Sequence, residues 1–251
     1  MPHRDPPPLP PALRALNREI VACEKCPRLR HYCRGVAQEK RAAFRDWTYW
    51  GRPVPGFGDP EARLFVVGLA PAGHGANRTG RIFTGDRSGD FLYAALHRAG
   101  LASQPTSTHR DDGLRLTDVY IAAALRCAPP ANKPLPDELE NCRPYLEREL
   151  DLLRQVRVFV TLGKIGHDAL VKVLKHRGVV EAKAKLEFAH AAVHALPRPW
   201  HAIVCSYHVS QQNTFTGKLT PAMFDAVIDR ALRLADEGLP APAGEHRKSS
   251  I

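Results

Sequence analysis

Four stretches of the chain are apolar almost without a break, at 62–70, 119–127, 156–163 and 201–208, and each runs into a loop. Continuous rather than alternating apolarity is the pattern of strands buried on both faces, as in a parallel sheet. Helical spacing alternates with these runs. Residues 89–99 put Leu92, Ala95, Leu96 and Ala99 on one stripe and stop at Gly100, a residue suited to the left-handed turn that ends helices. Residues 137–154 align Leu139, Cys142, Leu146, Leu150 and Leu153, with Pro144 inside as a candidate kink. A third helix is expected over 164–176, and Thr220-Pro221 opens a fourth with an N-cap and a proline at its first position. Strand–helix alternation predicts an α/β three-layer sandwich with a central, mostly parallel four-stranded sheet flanked by helices. Residues 12–236 form the expected single domain, with a disordered arm at 1–11 and a flexible tail at 237–251, where Pro, Gly and charge offer little to pack.

The charge balance adds a partner class. There are 36 Lys+Arg against 26 Asp+Glu, a formal net charge of +10, and the excess is concentrated early: residues 1–50 hold ten basic and five acidic side chains. A polyanion such as nucleic acid is the expected partner. No apolar run is long enough to cross a bilayer, and the start of the chain lacks a signal-peptide core, so a cytoplasmic location is expected. Six cysteines stand at 23, 26, 33, 127, 142 and 205. A cytoplasmic chain does not rely on structural disulfides, and Cys23-x-x-Cys26 has the spacing of a metal or redox site. On spacing alone, zinc and iron–sulfur remain open.

In a parallel sheet the working residues lie in loops at the carboxyl ends of the strands. The loop after the first run, GLAPAGHGANRTGRIFTGD (68–86), is rich in small residues that let backbone N–H groups approach a ligand, yet it lacks dinucleotide and phosphate-loop spacings. The loop after the fourth run, HVSQQNTFTGKLT (208–220), begins with a histidine at the end of a buried strand.

Together these loops resemble the two signature motifs of the uracil-DNA glycosylase superfamily. With RPVPGFGDP at 52–60, RCAPPANKP at 126–134 and the cysteine pattern, the chain is most similar to the family-five, or B-type, enzymes of the iron–sulfur branch, over residues 20–235. The related A-type enzymes carry an acidic residue where this chain has Leu69. The resemblance implies a DNA-repair enzyme that flips uracil, and other deaminated bases such as hypoxanthine, out of DNA and hydrolyses the N-glycosidic bond with water as nucleophile. It is expected to be monofunctional, leaving an abasic site, and to act as a monomer in the cytoplasm, on the bacterial nucleoid when bound to DNA. Asp86 is implied as the water-handling carboxylate, and His208 with the backbone amides of Ala70, Pro71, Ala72 and Gly73 as the surroundings of the departing base; of these Pro71 has no N–H to donate. Phe83 is a candidate stacking partner and Asn132 has the amide donor and acceptor that a uracil edge requires. His74 and Asn77 are expected to shape the pocket. Ser210, Gln211, Gln212, Asn213 and Thr214 would press into the duplex, and Lys218 would hold a phosphate. Cys23, Cys26, Cys127 and Cys142 are implied as ligands of a [4Fe-4S] cluster, with Cys33 as a rival ligand and Cys205 as buried core. The competing expectation is a non-catalytic DNA-binding module stapled by a metal.

Overall fold

The computed structural model describes residues 5–237. The expectations for 1–4 and for the tail from 238 onward lie outside the described residues. The four apolar runs form four strands buried at every position: β2 (Leu64–Gly68), β3 (Val119–Ala123), β4 (Val158–Leu162) and β6 (Ala202–Ser206). They pair in parallel in the order β3-β2-β4-β6. The sheet is larger than four strands, because two short antiparallel edges close it. β1 (Phe57–Gly58) pairs with β3, and β5 (Val193–Ala195) pairs with β6. With two and three residues, neither edge is long enough to present a period that sequence reading can detect.

Successive residues of each strand serve opposite faces. Leu64, Val66, Val119, Ile121, Val158, Val160, Ala202 and Val204 face one apolar layer, covered by α4 (Arg87–Arg98) and α8 (Pro221–Glu237). Phe65, Val67, Tyr120, Ala122, Phe159, Ile203 and Cys205 face the other, covered by α1 (Pro11–Val21), α5 (Pro136–Leu152) and α6 (Lys164–His176). Three layers result. The caps match the sequence reading: the Met223 amide donates to Thr220 Oγ1 at 3.3 Å, and Gly100 takes φ +75° after α4. α5 continues through Pro144.

Two N-terminal helices went unassigned in the sequence. α1 is amphipathic and buries Leu13, Leu16 and Ile20. α2 (Pro27–Glu39) starts directly after Cys26 and buries Leu29, Arg30, Cys33 and Val36. α1 begins at Pro11, and the stretch before it is tied down: Leu9 packs on the second layer, and Asp5 pairs with Arg115 at 2.6 Å. No helix among the described residues is long and apolar enough to cross a membrane. Strand order reverses between β2 and β4, since β3 lies on one side of β2 and β4 on the other. Ligand crevices in open α/β sheets form at such switch points, and the loop after β2 begins there.

Candidate active site

The loop from Leu69 to Asp86 holds one helical turn, α3 (Ala76–Thr79), and ends with Asp86 as N-cap of α4. Asp86 Oδ1 accepts from the Gly89 amide at 3.0 Å, so one carboxylate oxygen serves the helix. The other is pressed against the loop: a Cβ added to Gly75 would sit 2.0 Å from Asp86 Oδ2. Only glycine permits that approach. Burial raises the Asp86 pKa above the ordinary aspartate value, while the Gly89 and Ser88 amides and the Arg78 charge oppose the rise.

Asp86 lines a cavity of about 860 Å³ together with Ala72, Gly73, His74, Asn132 and Gln211. The first loop, the turn after β3 and the second loop therefore meet at one cleft. Asn132 is exposed and takes φ +56°, next to Ala131 at +52°. Two consecutive left-handed residues are costly for side chains with a Cβ. That turn holds the amide of Asn132 at the cavity wall.

Sequence reasoning missed the aromatic and basic wall of this cleft, formed by Tyr32, Arg41, Phe44, Trp47 and Arg78. The Arg78 guanidinium lies 3.8 Å from the Phe44 ring centre and 4.2 Å from that of Trp47, a double cation–π contact. Its Nε donates to the His74 carbonyl at 2.8 Å and its Nη2 to the Gly85 carbonyl at 2.7 Å. A fixed positive charge is thereby held within electrostatic reach of Asp86. These residues lie outside both loop motifs or inside the first without a spacing to mark them, so no local signal was available. His74 accepts from or donates to the Tyr49 hydroxyl at 3.1 Å, and burial with Arg41 and Arg78 lowers its pKa.

Phe83 and His208 sit together beside the cavity rather than among its lining residues, with ring centres 6.2 Å apart and planes tilted by 36°. Phe83 is 6% exposed, has φ +52°, and covers Gly68 at the end of β2, where an added Cβ would be 2.7 Å from the ring. His208 follows β6, and burial drives its pKa down to about 4. The imidazole is neutral at pH 7 and can donate one N–H. Ala70 and Pro71 lie just upstream of the lining residues Ala72 and Gly73. Asn77 is buried behind the cleft, where its Nδ2 donates to the Cys33 carbonyl at 3.1 Å and the Gly73 carbonyl at 3.3 Å. It ties α2 to the loop.

The second loop forms a short helix, α7 (Gln211–Phe215), after Ser210. Gln211 and Gln212 are exposed, Asn213 and Thr214 half-buried, and Asn213 Nδ2 donates to the His208 carbonyl at 2.8 Å. Phe215 ends the helix 71% exposed, the largest exposure among the big apolar side chains described. Lys218 is exposed with its Nζ 4.8 Å from the Tyr207 ring centre.

Five cysteines come together on the side of α2. Cys26, Cys33, Cys127 and Cys142 share one buried cluster with Leu29, Leu125 and Ala128, and Cys23 interacts with Cys26. Cys127 and Cys142 both act on Cys26 or on each other, and Cys33 contacts Cys127. All six cysteines of the chain are unpaired as disulfides. Burial pushes Cys142 up to about 12 and raises Cys26 as well, so these thiols ionise only beside a cation. The buried Arg126–Glu149 pair, joined at 2.9 and 2.5 Å, anchors the strand end that carries Cys127. The set is compatible with a metal cluster.

Residues 55–232 match the family described as the Uracil DNA glycosylase superfamily. The chain belongs to that superfamily. It is 54% identical over 221 residues to the type-5 uracil-DNA glycosylase of Thermus thermophilus, covering 88% of this chain and 97% of that one. Identity to the type-5 enzyme of Mycobacterium leprae is 51% over 221 residues, covering 88% and 94%. A type-4 enzyme, from Archaeoglobus fulgidus, is 38% identical over 150 residues, covering 59% of this chain and 58% of that one. The superfamily membership and the preference for type-5 relatives agree with the loop motifs and with Leu69 in place of an acidic residue.

Proposed function

We propose that the chain is a uracil-DNA glycosylase that hydrolyses the N-glycosidic bond of a uracil flipped out of DNA. The observation that carries the reading is Asp86, held at a helix N-terminus and packed on Gly75 in a cleft that also presents Asn132 and the backbone of Ala72 and Gly73. A base inside a duplex is out of reach of any side chain, so the nucleotide must leave the stack. Gln211, Gln212 and exposed Phe215 on α7 are suited to fill the vacated space, and Lys218 and Arg41 to hold phosphates. Asn132 reads the uracil edge with its amide donor and acceptor. Phe83, behind Gly68, supports the floor beside His208.

Bond cleavage puts negative charge on the base and positive charge on the sugar. The amides of Ala70, Ala72 and Gly73 and the neutral His208 imidazole are donors for the first, and the Asp86 carboxylate stabilises the second and orients the attacking water. No lysine lines the cleft among the described residues, which supports a water nucleophile and a monofunctional reaction ending at an abasic site. The uncharged Leu69 supports a range that includes hypoxanthine. His74, fixed by Tyr49, shapes the wall.

The cysteine set fits a [4Fe-4S] cluster held by Cys23, Cys26, Cys127 and Cys142. Four thiols from two separate parts of the chain, all but Cys23 buried, support such a cluster, whose part here would be to bind the N-terminal helices to the strand ends. Cys33, in the same buried cluster, remains the rival to Cys142. The enzyme is read as a cytoplasmic monomer, and as a single domain.

The test is release of free uracil from a duplex with one uracil opposite guanine, followed with and without alkali. Wild-type release, with strand breakage only after alkali, supports the reading. Binding of that duplex without release would favour the non-catalytic DNA-binding module.

A further inference from the structure

On the face of the sheet opposite Phe83, three potential metal ligands from three elements converge. His167 projects from α6, His194 from the edge strand β5 and Cys205 from β6, and one donor atom of each lies within 4.8 Å of the others. Cys205 Sγ is 3.3 Å from His167 Nδ1, and the two imidazole rings are 5.6 Å apart between centres. His167 and Cys205 are fully buried, whereas His194 is half-buried on the edge.

The outer contacts of the two histidines orient them for this task. His167 Nε2 lies 2.7 Å from the Leu186 carbonyl and His194 Nε2 lies 3.0 Å from the Glu187 carbonyl. A carbonyl only accepts, so each ring carries a proton on Nε2, and in the neutral ring Nδ1 is then a lone pair; His167 Nδ1 also lies 3.4 Å from the Thr161 hydroxyl. Donation of the second ring N–H to a backbone carbonyl is the arrangement that fixes metal-ligating histidines. Adjacent residues of one loop supply both carbonyls, and Phe188 of the same loop lies 5.7 Å from the His167 ring.

We propose that His167, His194 and Cys205 form a second metal site, of the imidazole and thiolate type that suits Zn²⁺, separate from the cleft and from the other five cysteines. A tetrahedral zinc with bonds of 2.0–2.3 Å separates its donors by about 3.3–3.6 Å. The Cys205–His167 edge already has that length, the three donor atoms lie within 4.8 Å of one another, and a side-chain rotation of half-buried His194 would complete the set. A water completes the coordination. Binding converts the Cys205 thiol to thiolate and releases one proton, with both imidazoles neutral. The metal would tie β5 and the 186–188 loop to α6 and β6.

A Cys205–His167 hydrogen bond alone would leave His194 without a part, so His194 discriminates. The full-length chain with its iron complement is incubated with one equivalent of zinc chloride, desalted, and its zinc and iron counted by mass spectrometry. His194→Ala and the exposed-site control His97→Ala are treated in parallel. One zinc per chain is expected in the wild type and His97→Ala, with retention at least tenfold weaker in His194→Ala and iron equal in all three. A cobalt(II) difference spectrum of the wild type should show thiolate-to-cobalt charge transfer, which keeps the proposal testable if the variant folds poorly. Equal zinc in wild type and His194→Ala, no zinc at all, or cobalt without a thiolate band overturns it.

Discussion

Replacing Asp86 by asparagine and by alanine separates the cap that its carboxylate forms from the catalytic task proposed for it. Oδ1 caps α4 through Gly89, and the remaining oxygen lies against Gly75 in the cleft. Asparagine caps a helix about as well as aspartate, whereas alanine forfeits about 1 kcal/mol. Both lose the favourable charge at the helix N-terminus, about 0.3–1 kcal/mol. Both also remove a charge that burial disfavours, as the raised pKa indicates, so the charge terms oppose each other. Asp86→Asn should therefore stay within about 0.5 kcal/mol of wild type and Asp86→Ala should lose about 1–2 kcal/mol, a fall of roughly 2–8 °C in Tm. The rate should not follow this order. If the carboxylate stabilises the sugar cation, both variants lose about 10²–10³-fold in single-turnover uracil release, the magnitude of one oriented electrostatic group. The assay is single-turnover release at saturating enzyme beside a thermal melt and a duplex-binding titration. An asparagine variant within threefold of wild-type rate would refute the catalytic assignment and leave Asp86 as a cap.

The pH profile of the same step should carry an acid limb above the ordinary aspartate range, because a carboxylate with a raised pKa takes up its proton sooner as pH falls. His208, neutral down to about 4, should give no step near its ordinary value; a rate change centred there would contradict the neutral donor. Its depressed pKa also means that the stability it carries is complete above about 6.5 and is lost as pH falls toward about 4, which urea melts across that window would measure. Cys142→Ser should lower iron content and Cys33→Ser should leave it intact; the reverse result would exchange ligand and bystander. Phe215→Ala should leave Tm nearly unchanged, since the ring is exposed, and weaken binding to the uracil duplex about 5–30-fold, as expected from roughly 1–2 kcal/mol of base contact. Unaltered affinity would remove Phe215 from the interface.

The parts of the fold legible in the sequence were those with a long, uniform physical requirement. Four strands buried on both faces must be apolar throughout, and Thr220-Pro221 and Gly100 mark helix ends by their own backbone chemistry. The edges were illegible for the converse reason, since two residues of β1 carry no period. α1 and α2 were hidden differently. α2 is polar over most of its surface and starts at a proline beside Cys26, so the cysteine spacing drew the reading toward a metal loop and away from a helix. In the cleft, Asp86, His74, Asn132 and Gln211 were accessible because each sits in a recognisable loop. Arg78 was not, because its significance comes from Phe44 and Trp47, more than thirty residues away in sequence, closing over it. Phe83 and Asn77 carry the motif's spacing yet stand behind the cavity, one bracing Gly68 and the other holding Cys33.

That last bond links the cysteine cluster to the proposed cleft. The loop from Leu69 to Asp86 has little regular structure, only the single turn of α3, and its geometry depends on what it leans against. Asn77 donates to the Cys33 carbonyl, the Gly51 amide donates to the Asn77 carbonyl, and the Trp50 amide donates to the Arg78 carbonyl. Arg30 Nη2 reaches the Gly51 carbonyl at 3.1 Å, closing the circuit back to α2. Tyr32 of the same helix lines the cavity, and Val36 lies where a side chain on Gly73 would be in contact at 3.6 Å. α2 is therefore one wall of the cleft, and its first turn leaves directly from Cys26. A cluster joining Cys23 and Cys26 to Cys127 and Cys142 would fix that wall to the segment after β3 and to α5, between which Asn132 lies. On this reasoning cluster loss should damage substrate positioning before it unfolds the sheet, because Cys26, Cys127 and Cys142 lie outside the apolar layers of β2, β3, β4 and β6 and Cys23 packs only at the margin of one of them.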